Sequence, residues 1–181
     1  SDNLAVVGQS PLQPGYSDVS VINNLAYTIG GTLKVFDVST PSNMQWINSG
    51  TAPVSLSLSR ALAISTGRAY VANGEEGFAI LNVSNFPITL GGQFTSDAMV
   101  AKSVSVANGL AFVGVDNSGL RIFDVTTPST PYLRGTLNLN AGVSNISAHG
   151  AKLYLTTDCQ DNGLQVVDVS NPSLPQLRYS S

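Results

Sequence analysis

The side chains that could do chemistry in this sequence are few and scattered. His149, the only histidine, sits in the turn-like Ala148-His149-Gly150. It has no partner at the spacing that a catalytic relay or a His-rich zinc site would use. Cys159 is the only cysteine, with no Cys-x-x-Cys or Cys/His companion, so it reads as a small loop residue and rules out an intramolecular disulfide. The loop Asp158-Cys159-Gln160-Asp161-Asn162-Gly163 gathers the most oxygen ligands, which makes Asp158 and Asp161 the calcium candidates. The Asp-x-Asp-x-Asp-Gly spacing of an EF-hand loop is missing and no glutamate follows at the right distance, so the loop reads first as a polar hairpin turn. Glu75-Glu76 offers a smaller acidic pair in a comparable turn. A glycosidase-like carboxylate pair would require folding to bring Asp116, Asp158 and Glu75 to one face, and no motif supports that chemistry. Asn82-Val83-Ser84 and Asn145-Ile146-Ser147 fit the N-glycosylation pattern. The expectation is a non-enzyme with no cofactor, calcium apart.

Only 10% of the residues carry charge, and the formal net charge is −3. An ordinary soluble domain has about 25% charged residues. Lys and Arg number eight and stand singly, so there is no basic face for nucleic acid and no polybasic patch for a lipid surface. No apolar run approaches the roughly 20 residues a membrane helix needs, so no membrane insertion is expected. Low charge with abundant Ser, Thr, Asn and Gly points to a rigid β protein that is secreted or held at the cell surface.

The elements that would have to position these side chains are written as a repeat. Leu33-Lys34-Val35-Phe36-Asp37-Val38-Ser39 recurs as Phe78-Ala79-Ile80-Leu81-Asn82-Val83-Ser84, as Leu120-Arg121-Ile122-Phe123-Asp124-Val125-Thr126 and as Leu164-Gln165-Val166-Val167-Asp168-Val169-Ser170. Each is followed by a proline, at 41, 87, 128 and 172. Ahead of each lies a second string carrying an aromatic, at 27, 70, 112 and 154, so the period is about 42 to 45 residues. Val19-Ser20-Val21-Ile22, Ser103-Val104-Ser105-Val106 and Val143-Ser144-Asn145-Ile146-Ser147 show the two-residue alternation of strands. The turns between them, such as Asn23-Asn24, Asn108-Gly109 and Asn117-Ser118-Gly119, supply residues that accept positive φ. A fourth strand follows each proline: Trp46-Ile47-Asn48, Thr89 to Gly92, Tyr132 to Gly135 and Gln176 to Tyr179. No segment has sustained helical periodicity. The chain therefore reads as all-β: a β-propeller of about four repeats of four-stranded antiparallel blades, each sheet shielding its neighbour's apolar face. The Asp or Asn ending each third strand has a local role, accepting backbone N–H bonds that fix the turn into the proline.

These strings resemble the LVIVD-repeat family of β-propellers, whose blades carry an aromatic strand, a Gly turn and an apolar strand ending as Val167-Asp168-Val169-Ser170-Asn171-Pro172 does here. Asn82 departs from the pattern, as does the longer turn from Asn82 to Pro87. The resemblance implies a secreted or surface repeat protein of bacterial or archaeal type and no particular reaction.

The whole chain, 1-181, is read as one propeller domain, with repeats at about 15-53, 54-98, 99-141 and 142-181. Residues 1-14 hold a surplus outer strand around Leu4, Ala5, Val6 and Val7. That strand closes a four-bladed ring, belongs to an arc of a larger propeller, or pairs with the next subunit head to tail, which without closure builds a filament. Two functions follow: a structural subunit of a surface filament, or a module that binds protein or carbohydrate through turns such as 73-77, 116-119 and 158-163.

Overall fold

The computed structural model describes residues 15–47, 50–96, 99–158 and 163–180. Within them, sixteen strands form four separate antiparallel sheets, each made from contiguous chain and each paired in sequence order. The first holds β1 (Asp18–Ile22), β2 (Leu25–Ile29), β3 (Leu33–Asp37) and β4 (Gln45–Ile47). The second holds β5 (Ala61–Ser65), β6 (Arg68–Ala72), β7 (Phe78–Asn82) and β8 (Thr89–Phe94). The third holds β9 (Ala101–Ala107), β10 (Leu110–Val115), β11 (Gly119–Asp124) and β12 (Tyr132–Leu137). The fourth holds β13 (Val143–His149), β14 (Lys152–Thr157), β15 (Leu164–Asp168) and β16 (Gln176–Ser180). The described helical content is one 3-10 turn, Pro41–Asn43.

Local chemistry explains the hairpins. Asn23 and Asn24 take φ of 50° and 61°, and Asn108 and Gly109 take 52° and 74°. Two successive positive φ values give the twist that matches paired strands, and Asn and Gly reach them at least cost. Thr66, at φ 48° before Gly67, holds the same position with a β-branched side chain that pays more for it.

The sheets stack in chain order through their opposite faces. One face of each blade presents alternate residues from its aromatic strand and the next strand, such as Tyr27, Ile29, Leu33 and Val35. The following blade answers with Leu62, Ala69, Val71, Ala79, Leu81 and Val83. The same positions recur between the second and third blades, around Tyr70, Phe78 and Ile80 against Val104, Val113 and Phe123. They recur again between the third and fourth, around Phe112, Leu120 and Ile122 against Ile146, Leu155 and Val167. Each fully buried side chain of this size contributes about 1.5–3 kcal/mol by leaving water. Aromatic contacts knit the middle joint, with Phe78 and Phe123 stacked at 5.4 Å and Phe94 tilted on Phe123 at 4.7 Å.

The first strands line the inner edge. β1 packs beside β5, β5 beside β9, and β9 beside β13. Side chains also reach across the joints: the Leu62 N–H donates to Asp18 Oδ2 at 2.8 Å, and the Ser103 hydroxyl donates to the Val143 carbonyl at 2.8 Å. At the outer edge the glycines of β8 and β12 admit the next blade's proline turn. A Cβ on Gly92 would lie 1.9 Å from the Pro128 carbonyl oxygen, and one on Gly135 would lie 2.0 Å from that of Pro172.

Candidate functional site

The recurring Asp proves to be a turn device. The N–H of Ser39 donates to Asp37 Oδ1 at 2.8 Å, that of Ser84 to Asn82 Oδ1 at 3.2 Å, that of Thr126 to Asp124 Oδ1 at 3.0 Å and that of Ser170 to Asp168 Oδ1 at 2.9 Å. Asn82 thus does the work of its aspartate counterparts. Donors from Ser170 and the Arg178 guanidinium hold the Asp168 carboxyl down at about 2. Bonds from Ser39 lower that of Asp37, and bonds from Thr126, Tyr132 and Arg134 lower that of Asp124.

A polar cleft of about 350 Å³ runs along the inner edge, bordered by all four first strands and by the polar side chains of Asp18, Arg60 just ahead of β5, Lys102, Ser144 and Asn145. At its end lies the one place where the described residues bring suspected carboxylates together. The Lys102 ammonium sits 2.8 Å from Asp116 Oδ1 and 2.7 Å from Asp158 Oδ2. The Gly142 N–H donates to Asp158 Oδ1 at 2.8 Å, and a side chain on Gly142 would collide with both carboxylates. Hydrogen bonds donated to Asp116 and then to Asp158 raise the Lys102 pKa, while Lys102 lowers that of Asp158. An ammonium therefore stands between the two carboxylates, in the position a bound cation would take. Glu75 does not join them: it lies in the turn of the second blade, exposed, while its neighbour Glu76 accepts a bond from Asn73 Nδ2 at 3.0 Å. Sequence reasoning named Asp116 and Asp158 but missed Lys102, whose position at the start of β9 carried no motif.

The other suspected residues are dispersed. His149 ends β13, exposed and paired in register with Lys152. Asn82 and Asn145 are both exposed, and each already accepts a backbone N–H, from Ser84 and Ile146 respectively. The calcium candidate Asp161, the lone Cys159 and the assembly strand Leu4, Ala5, Val6 and Val7 lie outside the described residues. Among the described residues, no three of the His, Cys, Asp and Glu side chains group as a metal site. No helix among them is long and apolar enough to cross a membrane.

At the two ends of the blade series some positions that are buried at the joints are exposed, although Ala26, Thr28 and Phe36 on the outward face of the first blade are only 8%, 8% and 4% exposed. Val19 is 57% exposed, whereas its counterparts Leu62, Val104 and Ile146 are 6%, 8% and 7% exposed. At the opposite end Tyr154 is 40% exposed, against 5%, 3% and 3% for Tyr27, Tyr70 and Phe112. Leu164 is likewise half-exposed where Leu33, Phe78 and Leu120 are buried. The outer rim behaves differently. Trp46, Leu90, Leu133 and Leu177 share one position and are all 42–54% exposed, so there the exposure belongs to the position and not to the end of the series. The described residues form three apolar joints, one between each consecutive pair of blades.

Four stacked four-stranded sheets, with like positions buried at each joint and first strands bordering a common cleft, define a β-propeller-type repeat protein. The LVIVD repeat profile matches residues 15–50, 59–87, 100–138 and 143–180, and the chain belongs to that family. No curated protein matches it in sequence. Among solved structures it resembles the computationally designed Ika4 protein, at 10% identity and a TM-score of 0.66 over 99% of both chains. It also resembles the designed Ika8 protein, at 11% identity and a TM-score of 0.69, where 86% of this chain covers 46% of that one. The β-propeller domain of Cps50 (Swd1) from Myceliophteria thermophila is similar at 10% identity and a TM-score of 0.68, with 88% of this chain covering 56% of that one. The chain thus spans about half the length of Ika8 and of the Swd1 domain.

Proposed function

We propose that this protein is a non-catalytic, extracellular structural module that works by self-association, as a subunit of a surface assembly or filament. The observation that carries this reading is the exposed apolar face of the fourth blade, where Tyr154 and Leu164 are uncovered while their counterparts are buried at every internal joint. Exposed apolar surface of this kind marks an association site on a soluble protein. A chain with 10% charged residues and a hydroxyl-rich surface suits a permanent extracellular scaffold. The carboxylate pair that converges among the described residues is bridged by the Lys102 ammonium, which favours a structural role for it over acid–base work. Sedimentation across a hundredfold range of protein concentration, with electron micrographs of the same samples, tests the reading. Growth of defined oligomers or fibres is expected. A monomer at every concentration overturns it.

A second reading rests on the polar cleft, which includes Lys102, the partner of Asp116 and Asp158. There the protein binds a protein loop or a carbohydrate, with Arg60, Ser144 and Asn145 as hydrogen-bonding side chains. Carbohydrate-array and pull-down binding that is lost in Arg60→Ala, with no change in oligomeric state, would favour it over assembly.

A further inference from the structure

We propose that a groove between the first and second blades, beside their first hairpins, binds a neutral sugar ring. The site goes beyond the assembly reading and lies apart from the polar cleft. The cleft borders the starts of the first strands, whereas the groove borders the far end of β1. All its lining residues belong to the first two blades, so it does not depend on whether further blades continue the series.

The argument starts from the longer turn of the second blade. In the other three blades the fourth residue after the strand-ending Asp is proline, at 41, 128 and 172; after Asn82 that place falls to Phe86, and the proline moves to 87. Phe86 is 39% exposed and Ile22 is 38% exposed, and both border a groove of about 320 Å³. Tyr27 lines the same groove and is only 5% exposed. Burial pushes its pKa up with no hydrogen bond to offset that, so its hydroxyl is a protonated donor without a partner. The exposed Asn23 amide beside it offers two further donors and an acceptor. The Ser84 hydroxyl, by contrast, already donates to the Gly67 carbonyl at 3.1 Å.

The joint between the third and fourth blades carries the same groove stripped of these groups. There Phe112 stands for Tyr27, Ala107 for Ile22 and Pro172 for Phe86, around a space of about 350 Å³. Phe112 is buried as well as Tyr27 is, so the joint packs without the hydroxyl. An apolar occupant of the first groove would seal that hydroxyl away from water unpaired, which costs binding energy. An ion would find no charged side chain in the groove's described lining. A sugar ring meets both demands: its hydroxyls pair with Tyr27 and Asn23, and its C–H face lies against Phe86 and Ile22. The volume falls at the small end of the range of about 300–1,000 Å³ for ligand sites, which suits one ring.

Amide NMR shifts of the isotope-labelled protein test the site. The probes are the methyl glycosides of glucose, galactose, mannose and N-acetylglucosamine, each titrated to tens of millimolar. At least one should shift the amides of Ile22 to Leu25 and of Ser84 to Phe86. Tyr27→Phe should weaken that titration about threefold to tenfold, the loss of one hydrogen bond, with Tm unchanged or higher because an unpaired hydroxyl is gone. Phe86→Ala should weaken it at least tenfold; the position is exposed, so the variant should fold, which circular dichroism would verify. A titration unchanged in either variant, shifts confined to Arg60, Ser144 and Asn145 in the cleft, or no response to any of the four glycosides overturns the inference. So does a groove that answers to indole and to none of the glycosides, which would make it a seat for an apolar side chain. A lowered Tm in Tyr27→Phe would show that the hydroxyl already has a partner and would overturn it too. The assembly reading is tested separately by sedimentation and stands or falls apart from all of these.

Discussion

Alanine at each of the four aromatic positions separates the internal joints from the open face of the fourth blade. Phe112 is 3% exposed and packs between Leu120, Ile122 and the residues of the fourth blade. Truncating a buried aromatic of this kind costs about 3–5 kcal/mol, transfer and cavity together. That is a large share of the ~5–15 kcal/mol that a domain has in total. For a chain of this length it corresponds to a fall in Tm of roughly 6–20 °C. Tyr154 occupies the same register in its blade but is 40% exposed, and its truncation opens no sealed cavity. Losing part of its apolar burial should cost about 1 kcal/mol. Urea unfolding followed by circular dichroism and by Trp46 emission, at protein concentrations low enough to hold the monomer, gives both values. Tyr70→Ala and Tyr27→Ala should fall with Phe112→Ala. If Tyr154→Ala cost as much as Phe112→Ala in the monomer, the fourth face would already be covered, and the account of it as open would be wrong.

Acid should loosen the blades through their turns. Asp37, Asp124 and Asp168 have carboxyls lowered from 3.8, that of Asp168 to about 2, so their stabilisation is complete above 3.8 and fades as pH falls toward 2. Converting all three to Asn, as the second blade has at Asn82, keeps the backbone bonds and should flatten urea midpoints between pH 4 and 2; a profile parallel to the wild type would refute that origin. Lys102→Met leaves Asp116 and Asp158 facing one another without a counter-ion. These groups are partly solvated, so the loss should be about 1 kcal/mol at pH 7. The deficit should shrink below pH 3.8 as Asp158 takes up a proton, which denaturation at pH 7 and pH 3 would reveal. Thr66→Asn should stabilise by about 0.5–1 kcal/mol, since Asn adopts the positive φ at lower cost. A lowered Tm would show that the threonine is held by something other than its turn.

Much of the blade architecture was legible because its signals are local. An Asp two residues before a hydroxyl, a proline beyond it and an aromatic some ten residues ahead lie within one unit, and the period repeats them. Val54-Ser55-Leu56-Ser57-Leu58-Ser59 shows why pattern alone falls short: it alternates like a strand yet forms the connector into the second blade, with Leu56 alone among its apolar residues fully buried. The true first strand there, β5, reads Ala61-Leu62-Ala63-Ile64-Ser65 without polar alternation, since small side chains fill its second face. The Lys102, Asp116 and Asp158 cluster was legible only in part, because it joins the starts and turns of two blades across a joint. Val19 presents the opposite case. In sequence it is indistinguishable from Val104 or Ile146, and whether a neighbour covers it depends on what stands beyond the repeat.

The three joints are separate from one another, and no described strand is shared between blades. Such a stack resists load unevenly. Tension applied across the faces would be borne by apolar contact and a few isolated polar bonds, such as those from Leu62 to Asp18, Ser103 to Val143 and Lys102 to Asp158, while each sheet keeps its own hydrogen-bonded ladder intact. A string of these units pulled end to end should therefore come apart between blades before any blade unravels, and close again by re-seating the same surfaces once the pull is released.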